Sequence, residues 1–525
     1  MRPIEEIAAG LGLEPDELHP YGRHKGKIDL GVLDRLADRP DGKLVCVTAI
    51  TPTPKGEGKT TTAVGLTQGL GLLGADPVLC IREASLGPVF GIKGGAAGGG
   101  YAQIVPMEDL NLHFTGDLHA MTAANNLLAA LLDAHIHHGN ELGIDPHSIT
   151  WRRCLDMNDR SLRHVVTGLG GRTNGLPRET GFDITAASEV MAVMSIARDL
   201  PDLRRRLGEI TVGTTADGEP ITAEQLDAAG SLTVLLKDAL HPNLVQTLEG
   251  QPALVHCGPF GNIASGNNSL VADRVALKLG KVVVTESGFA SDMGMEKLFD
   301  IVCRAGGLVP AAVVLVATAA TFEAHGPENL ERHLSIVRSF GIEPVVAINK
   351  RPDDGPGDPE RAREAALEAG ATAAEICDAF ERGGEGAAAL GRAVLAALER
   401  PVDFRYAYEG GDALDEKIRK IAALYGAAGV DFLPPARTKL AQLERQGLGD
   451  LPVCMAKTHL SVSHDPALGA TPTGFTLPVR DLRPYTGAGW VVALCGDMQT
   501  MPGLGAAPAA HAIDIDDEGR TVGLF

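Results

Sequence analysis

Lys43-Leu-Val-Cys-Val-Thr-Ala-Ile50, Thr51-Pro-Thr-Pro-Lys-Gly-Glu-Gly58, Lys59-Thr-Thr-Thr-Ala-Val-Gly-Leu-Thr-Gln-Gly-Leu-Gly-Leu-Leu73 and Gly74-Ala-Asp-Pro-Val-Leu-Cys-Ile81 are four consecutive stretches whose order decides the fold. The first is a short apolar run rich in β-branched residues, which reads as a strand. A polar Gly/Pro loop follows, then a helix-like stretch, then a turn at Gly74 to Pro77 and a second strand over Val78 to Ile81. This is a βαβ unit, so a parallel sheet with helices on both faces is expected. Further strands are expected at Lys281 to Thr285, Ala311 to Thr318 and Pro344 to Asn349. The Pro-, Gly- and Asp-rich segment after Asn349 reads as a loop. Asp358 then reads as an N-cap with Pro359 at the first helical position. Two Ala-rich amphipathic helices follow, separated by Gly383-Gly384 and stopped by Pro401, and read as ordinary surface helices. Beyond residue 450 short apolar runs return, including Trp490 to Leu494.

The loop between the first strand and helix, Thr53-Pro54-Lys55-Gly56-Glu57-Gly58-Lys59-Thr60, is a variant phosphate loop with threonine where the strict pattern has its first glycine. Such a loop curls successive backbone N–H groups around phosphates at a helix N-terminus. Lys59 is expected to reach the β/γ oxygens and the Thr60 hydroxyl to hold Mg²⁺. In an open parallel sheet ligands gather beyond the carboxyl ends of the strands. The second strand ends at Ile81, so Arg82 and Glu83 should emerge beside the loop. Arg82 offers a bidentate fork for a carboxylate or a transferring phosphoryl group; an Arg-Glu pair at a strand end is otherwise a structural ion pair.

Downstream, Ser85 to Gly100 is glycine-rich but has the wrong spacing for a dinucleotide fingerprint, and reads as a mobile or close-approach loop over substrate. His113, Asp117 and His119 follow. Asp117 and His119 read either as participants in phosphoryl or acyl transfer or as hydrogen-bonded structural groups. A zinc site is the weaker reading, since HExxH is absent and no cysteine is nearby. His135, His137 and His138 end an apolar helix and suit its C-terminal dipole.

Composition excludes several classes. The 525 residues carry a formal charge of −20, with 44% apolar and 22% charged side chains, so this is a globular chain whose surface repels nucleic-acid phosphates. No apolar run approaches the roughly 18 residues of a membrane span. The N-terminus has carboxylates where a signal peptide would be apolar, so a cytoplasmic location is expected. The eight cysteines lack metal-knuckle spacing and read as reduced, buried thiols.

Taken together, TPKGEGKTTTAVGL, REASLGPVFGIKGGAAGGGYAQIVPMEDLNLHFTGDLHA, LDMNDRSLR, GFDITAASEVMA, KDALHPNLVQTLEG, GPFGNIASGNNS, FDIVCR, LPVCMAKTHLSVSHDP and TMPGL resemble the formate–tetrahydrofolate ligase family over nearly the whole chain. The resemblance implies ATP-dependent joining of formate to tetrahydrofolate. Formate takes the γ-phosphoryl group to give formyl phosphate, and N10 of the folate then takes the formyl group. It also implies Mg²⁺, a homotetramer and activation by a monovalent cation. Lys59 and Arg82 are placed to spread charge on the moving phosphoryl group, and the Gly94 to Gly100 stretch could exclude water from formyl phosphate.

The sequence departs from the family on the folate side. The family clamps its pteridine between a Phe in an Ile-Asn-x-Phe stretch and a Trp before a Gly-Gly pair. Here Ile348-Asn349-Lys350 is followed by Arg351, and Phe380 occupies the Trp position. Arg351 can stack through its guanidinium plane and Phe380 with less area than Trp. Ala320 and Glu323 replace an Arg and a Lys, Ser265 replaces a His, and the segment between His325 and His333 is shortened. Two alternatives stay open: a paralogue that activates a small carboxylate for another acceptor, and a silent nucleotide-binding paralogue. The expected architecture is α/β, a P-loop NTPase-like parallel-sheet domain (1–308) with two smaller α/β domains: a middle one contributing the acceptor pocket (309–435) and a C-terminal one (436–525).

Overall fold

Alternation along one strand sets up the centre of the molecule: Leu44 and Cys46 face one hydrophobic core while Val45, Val47 and Ala49 face another. A strand covered on both faces reads as an unbroken apolar run, as this one does. The computed structural model describes residues 1–525 apart from Lys55, Asp497, Phe525 and the side chain of Lys93. Its main sheet comprises β1 (Leu18–Pro20), β2 (Gly26–Ile28), β3 (Lys43–Ala49), β4 (Pro77–Ile81), β5 (Gly98–Gly99), β6 (Ala102–Val105), β7 (Asn243–Thr247), β8 (Pro252–Val255), β9 (Val282–Glu286), β10 (Pro310–Ala317), β11 (Val345–Asn349) and β12 (Ala374–Cys377). The spatial order is β1-β2-β7-β8-β4-β9-β3-β10-β11-β12, with the β5–β6 hairpin attached to β7. From β8 to β12 every neighbouring pair is parallel, and the antiparallel pairs lie at the β1 end. The mixed α/β architecture expected from the βαβ signal is present.

Helices α1 (Lys59–Leu72), α2 (Asp117–His137), α3 (Leu270–Leu279), α4 (Pro327–Ser339), α5 (Asp358–Glu368) and α6 (Ala379–Leu398) cover the sheet. Leu66 and Leu70 of α1 share a core with Leu390 and Val394 of α6, whereas Leu128 of α2 and Val275 of α3 pack on the opposite face. Leu334 of α4 and Ala366 of α5 close over Leu315 and Ile348.

Three local expectations are corrected. Asp358 is the first residue of α5, with Gly357 as its N-cap at φ 80° and Pro359 in the first turn. A strand, β12, lies between the two Ala-rich helices; at four residues it is too short to show a period of two. And α6 is no surface helix. It packs on α1 through small residues: a Cβ on Gly65 would overlap Ala379, and one on Gly69 would sit 3.0 Å from the Ala387 backbone. Gly383 interrupts α6 at φ 54°, ψ −137°, a conformation that side chains disfavour.

Towards the C-terminus, α7 (Leu414–Leu424) joins β13 (Gly429–Phe432), β14 (Val453–Ala456), β15 (Thr476–Val479), β16 (Asp481–Tyr485) and β17 (Trp490–Leu494). Val453, Met455 and Val491 face a core of their own with Ile418 and Tyr425, while Cys454 and Trp490 face the main core. A buried Lys457–Asp292 ion pair at 2.5 Å ties the two together. Of the expected domain boundaries, that after residue 308 falls between β9 and β10 of one sheet, and that after 435 falls inside the helix Pro434–Arg445. All eight cysteines are free and buried. Among the described residues no helix is long and apolar enough to cross a membrane.

Candidate functional site

Parallel strands deliver their carboxyl ends to one edge, and the 53–60 loop sits there between β3 and α1. Gly56 and Gly58 take φ values of 75° and 68°, and a Cβ on Gly58 would collide with the Asn349 amide. Glycine is therefore required at 58 by close approach as well as by φ. Glu57 is buried and holds the loop in shape. One carboxylate oxygen accepts from the Thr53 N–H (2.6 Å) and hydroxyl (2.9 Å), and the other from the Thr318 hydroxyl just beyond β10 (2.9 Å). Asn349 at the end of β11 donates to the Glu57 carbonyl at 3.1 Å. Pro54 is exposed, and Lys55 lies outside the described residues.

At the start of α1, the Thr60 hydroxyl donates to Glu286 Oε2 at 2.7 Å. Glu286 ends β9, which lies between β3 and β4 in the sheet. Arg82 follows β4 and donates to the Pro259 carbonyl at 3.3 Å. Burial pushes the Lys59 ammonium below the ordinary lysine range and Arg82 adds to this, while Glu286 and Glu57 pull it back. Burial likewise lowers Arg82, opposed by Glu286. Lys59 at the start of α1 and Arg82 after β4 are both buried, and the charge of Arg82 acts on Lys59, an arrangement that becomes favourable when an anion bridges them.

Glu83 points the other way. Its N–H donates to the Cys257 carbonyl at 2.7 Å, and burial, then the charge of Asp117, holds its carboxyl well above the usual range, with Lys27 opposing. Glu83 Oε2 has no hydrogen-bond partner among the described residues. Asp117 is buried and accepts from Lys27 Nζ and Asn243 Nδ2, each at 2.8 Å. His119 is exposed on the first turn of α2, so Asp117 and His119 do not share a site wall.

Arg351 and Phe380 follow the neighbouring strands β11 and β12. Arg351 is turned into its own loop, with its N–H on Asp354 (2.8 Å) and Nε 3.5 Å from Asp353. Lys350 bridges Asp378 (3.1 Å) and Glu381 (2.7 Å), tying the Arg351 loop to the turn that carries Phe380. Phe380 is 36% exposed, and its carbonyl accepts from the Tyr101 N–H at 2.9 Å. The Gly-rich stretch closes on it: β5 pairs with β6, and a Cβ on Gly99 would lie 3.1 Å from the Phe380 ring. Close approach is therefore what those glycines provide. Ser265 is buried and its hydroxyl has no partner among the described residues. Ala320 and Glu323 lie on the short helix Ala319–His325, with Glu323 exposed.

Sequence reasoning missed Glu286, Thr318 and Asn349 as site residues. The signal was available: each lies at or just after the carboxyl end of a strand, where a parallel sheet collects its ligands. Among the described residues no group of three or more His, Cys, Asp or Glu is arranged to hold a metal ion. Thr60 and Glu286 offer a hydroxyl and a carboxylate oxygen beside the loop.

Comparison with known proteins agrees along the whole length. The sequence model of the formate–tetrahydrofolate ligase family matches residues 1–525. A formate–tetrahydrofolate ligase of Cutibacterium acnes is 53% identical over 550 aligned positions, covering 100% of this chain and 98% of its own. One of Saccharopolyspora erythraea is 53% identical over 551, covering 100% and 97%, and formate–tetrahydrofolate ligase 3 of Rubrobacter xylanophilus is 50% identical over 560, covering 100% and 98%. The alignments exceed the 525 residues of this chain, so it carries gaps relative to these relatives. The chain belongs to the formate–tetrahydrofolate ligase family.

Proposed function

We propose that the chain is an ATP-dependent formate–tetrahydrofolate ligase, producing 10-formyltetrahydrofolate, ADP and phosphate through formyl phosphate. The observation that carries the reading is the meeting of Lys59, Thr60, Arg82 and Glu286 at one strand edge, in a chain whose full length matches the family.

In this proposal the 53–60 loop is a P-loop that wraps the nucleotide phosphates with its N–H groups. Lys59 and Arg82 bridge the γ-phosphoryl group to the formate oxygen that attacks it. Charge spreads over the phosphoryl oxygens as the bond to ADP breaks, and two fixed cations stabilise it without reorganising. Thr60 and Glu286 present the hydroxyl and carboxylate oxygens that suit Mg²⁺, a hard cation; bound there it would neutralise phosphate charge. Glu83, whose carboxyl burial holds well above its usual range, faces the Asp117–Lys27 pair and is assigned no chemical step. In the second step the folate N10 lone pair attacks the formyl carbon, the bond from that carbon to phosphate oxygen breaks, and the N10 proton leaves with the phosphate. Phe380 supplies the remaining apolar stacking face and Arg351 the rim of that acceptor pocket. His119 is assigned no chemical step. A homotetramer belongs to the same proposal, and light scattering tests it.

The deciding experiment is ADP release with ATP and formate, with and without tetrahydrofolate. Turnover that requires folate supports the reading. ADP release that runs at its full rate without folate and is unaffected when folate is added moves the protein to another acceptor, the alternative favoured by Arg351 and Phe380. Absence of nucleotide binding overturns both.

A further inference from the structure

Away from the strand edge, a cavity of about 180 Å³ opens beside β16 and β17. It is larger than the roughly 150 Å³ cavities that admit a benzene-sized molecule. Three guanidinium side chains line it, Arg152, Arg163 and Arg483, and among the described residues no carboxylate does. Each arises from a different local structure. Arg152 precedes the strand Arg153–Leu155, Arg163 follows a short turn and donates through Nε to the Met501 carbonyl at 2.9 Å, and Arg483 projects from β16. The nearest acid to Arg152 is Asp183, whose carboxylate lies 3.6 Å away and is already engaged by the Thr500 hydroxyl at 2.6 Å. At the rim, His164 pairs with Glu179 at 3.1 Å.

Three forks line one space, with Asp183 near Arg152 and Arg483 and Asp481 near Arg483, which leaves a local excess of positive charge in a chain of net charge −20. Guanidinium groups match the oxygens of carboxylates and phosphates two at a time. The remaining walls mix apolar side chains such as Val492 and Leu494 with the polar His164, Gln499 and Thr500, which offers further hydrogen-bonding groups to a bound anion. The segment that carries Pro259, the acceptor for Arg82, also carries Ile263, which lines this cavity.

We propose that this cavity is an oxyanion-binding site separate from the 53–60 loop, taking the phosphate or carboxylate group of a small ligand on Arg152, Arg163 and Arg483. The proposal does not rest on the ligase reading.

Calorimetry on the full chain with ADP and Mg²⁺ present tests it, with inorganic phosphate in one arm and L-glutamate in the other. At least one should bind saturably below about 10 mM, identifying the phosphate or the carboxylate source. Arg483→Gln should weaken that binding about tenfold and Arg483→Lys less, because lysine keeps the charge and loses the fork. Unchanged affinity in Arg483→Gln, or no saturable binding of either anion, overturns the proposal. Should the variants fail to fold, tungstate soaked into crystals of the unaltered protein must give an anomalous peak between the three arginines; its absence has the same force.

Discussion

Around Lys59, side chains from four strand ends are knitted together: Glu57 to Thr318, Asn349 to the Glu57 carbonyl, and Thr60 to Glu286. Around Phe380 the construction is looser. Phe380 is 36% exposed, and Arg351 is occupied by its own loop. Phosphate chemistry tolerates little displacement, because fixed charges act only where charge develops. An acceptor held by a stacking face tolerates more, since one aromatic contact contributes about 1–3 kcal/mol. Arg351 and Phe380 lie on the side where the geometry demands less.

That contrast can be broken experimentally, the harshest test being Lys59→Ala. It should lower kcat for ADP release by about 100-fold or more, the scale on which a single transition-state charge partner acts. Activity within a few-fold of wild type would remove the 53–60 loop from the chemistry. Next comes Phe380→Ala, which should raise KM for tetrahydrofolate by about 5- to 100-fold, the equivalent of one stacking contact. Formyl phosphate formation without folate should stay unchanged. If both activities fall together, the two sides are not separable. Glu286→Gln should then raise KM for Mg-ATP by about tenfold while leaving the tetrahydrofolate KM alone, because it alters only the charge that faces Thr60.

The smallest effect concerns pH. His333 is buried, with Nε2 accepting from the Thr51 N–H at 3.0 Å and Nδ1 facing Ser291 Oγ at 2.7 Å. Burial pushes it down to about 4 from 6.5. The unfolded chain binds the extra proton between those values, so the stability His333 contributes is complete above about 6.5 and is lost as pH falls toward 4. Thermal melts between pH 7 and 5 should show wild type losing about 2 kcal/mol more than His333→Gln. Equal slopes would mean that the imidazole takes up its proton in the folded protein. His256, also pushed down to about 4, acts in the same direction in both proteins and drops out of the comparison.

Much of this was legible in residues 43 to 83. A β-branched run, a Gly-rich turn, a helix and a second run give the βαβ unit, the loop and the emergence of Arg82. The strands at 282–286, 310–317 and 345–349 were readable for the same reason, each being an apolar run buried on both faces. Strand β12 was not, because four residues buried only at the two ends show no period. Helix α6 was misread as a surface element because its contact with α1 is made by glycine and alanine, which leave almost no hydrophobic signature. Glu286, Thr318 and Asn349 lie 226 to 289 residues from Thr60 in the chain, and only the sheet order brings them to it.

The sequence by itself determined the α/β class, the glycine-rich loop between β3 and α1, and the family. These depend on local pattern and on motifs read in order. Only the tertiary structure decided which strand ends meet at Lys59, that Asp117 faces inward while His119 faces solvent, and that three arginines distant in sequence share one cavity. Pairing between strands and packing between helices are long-range choices, settled by which apolar faces can be buried together and which charges must then find partners.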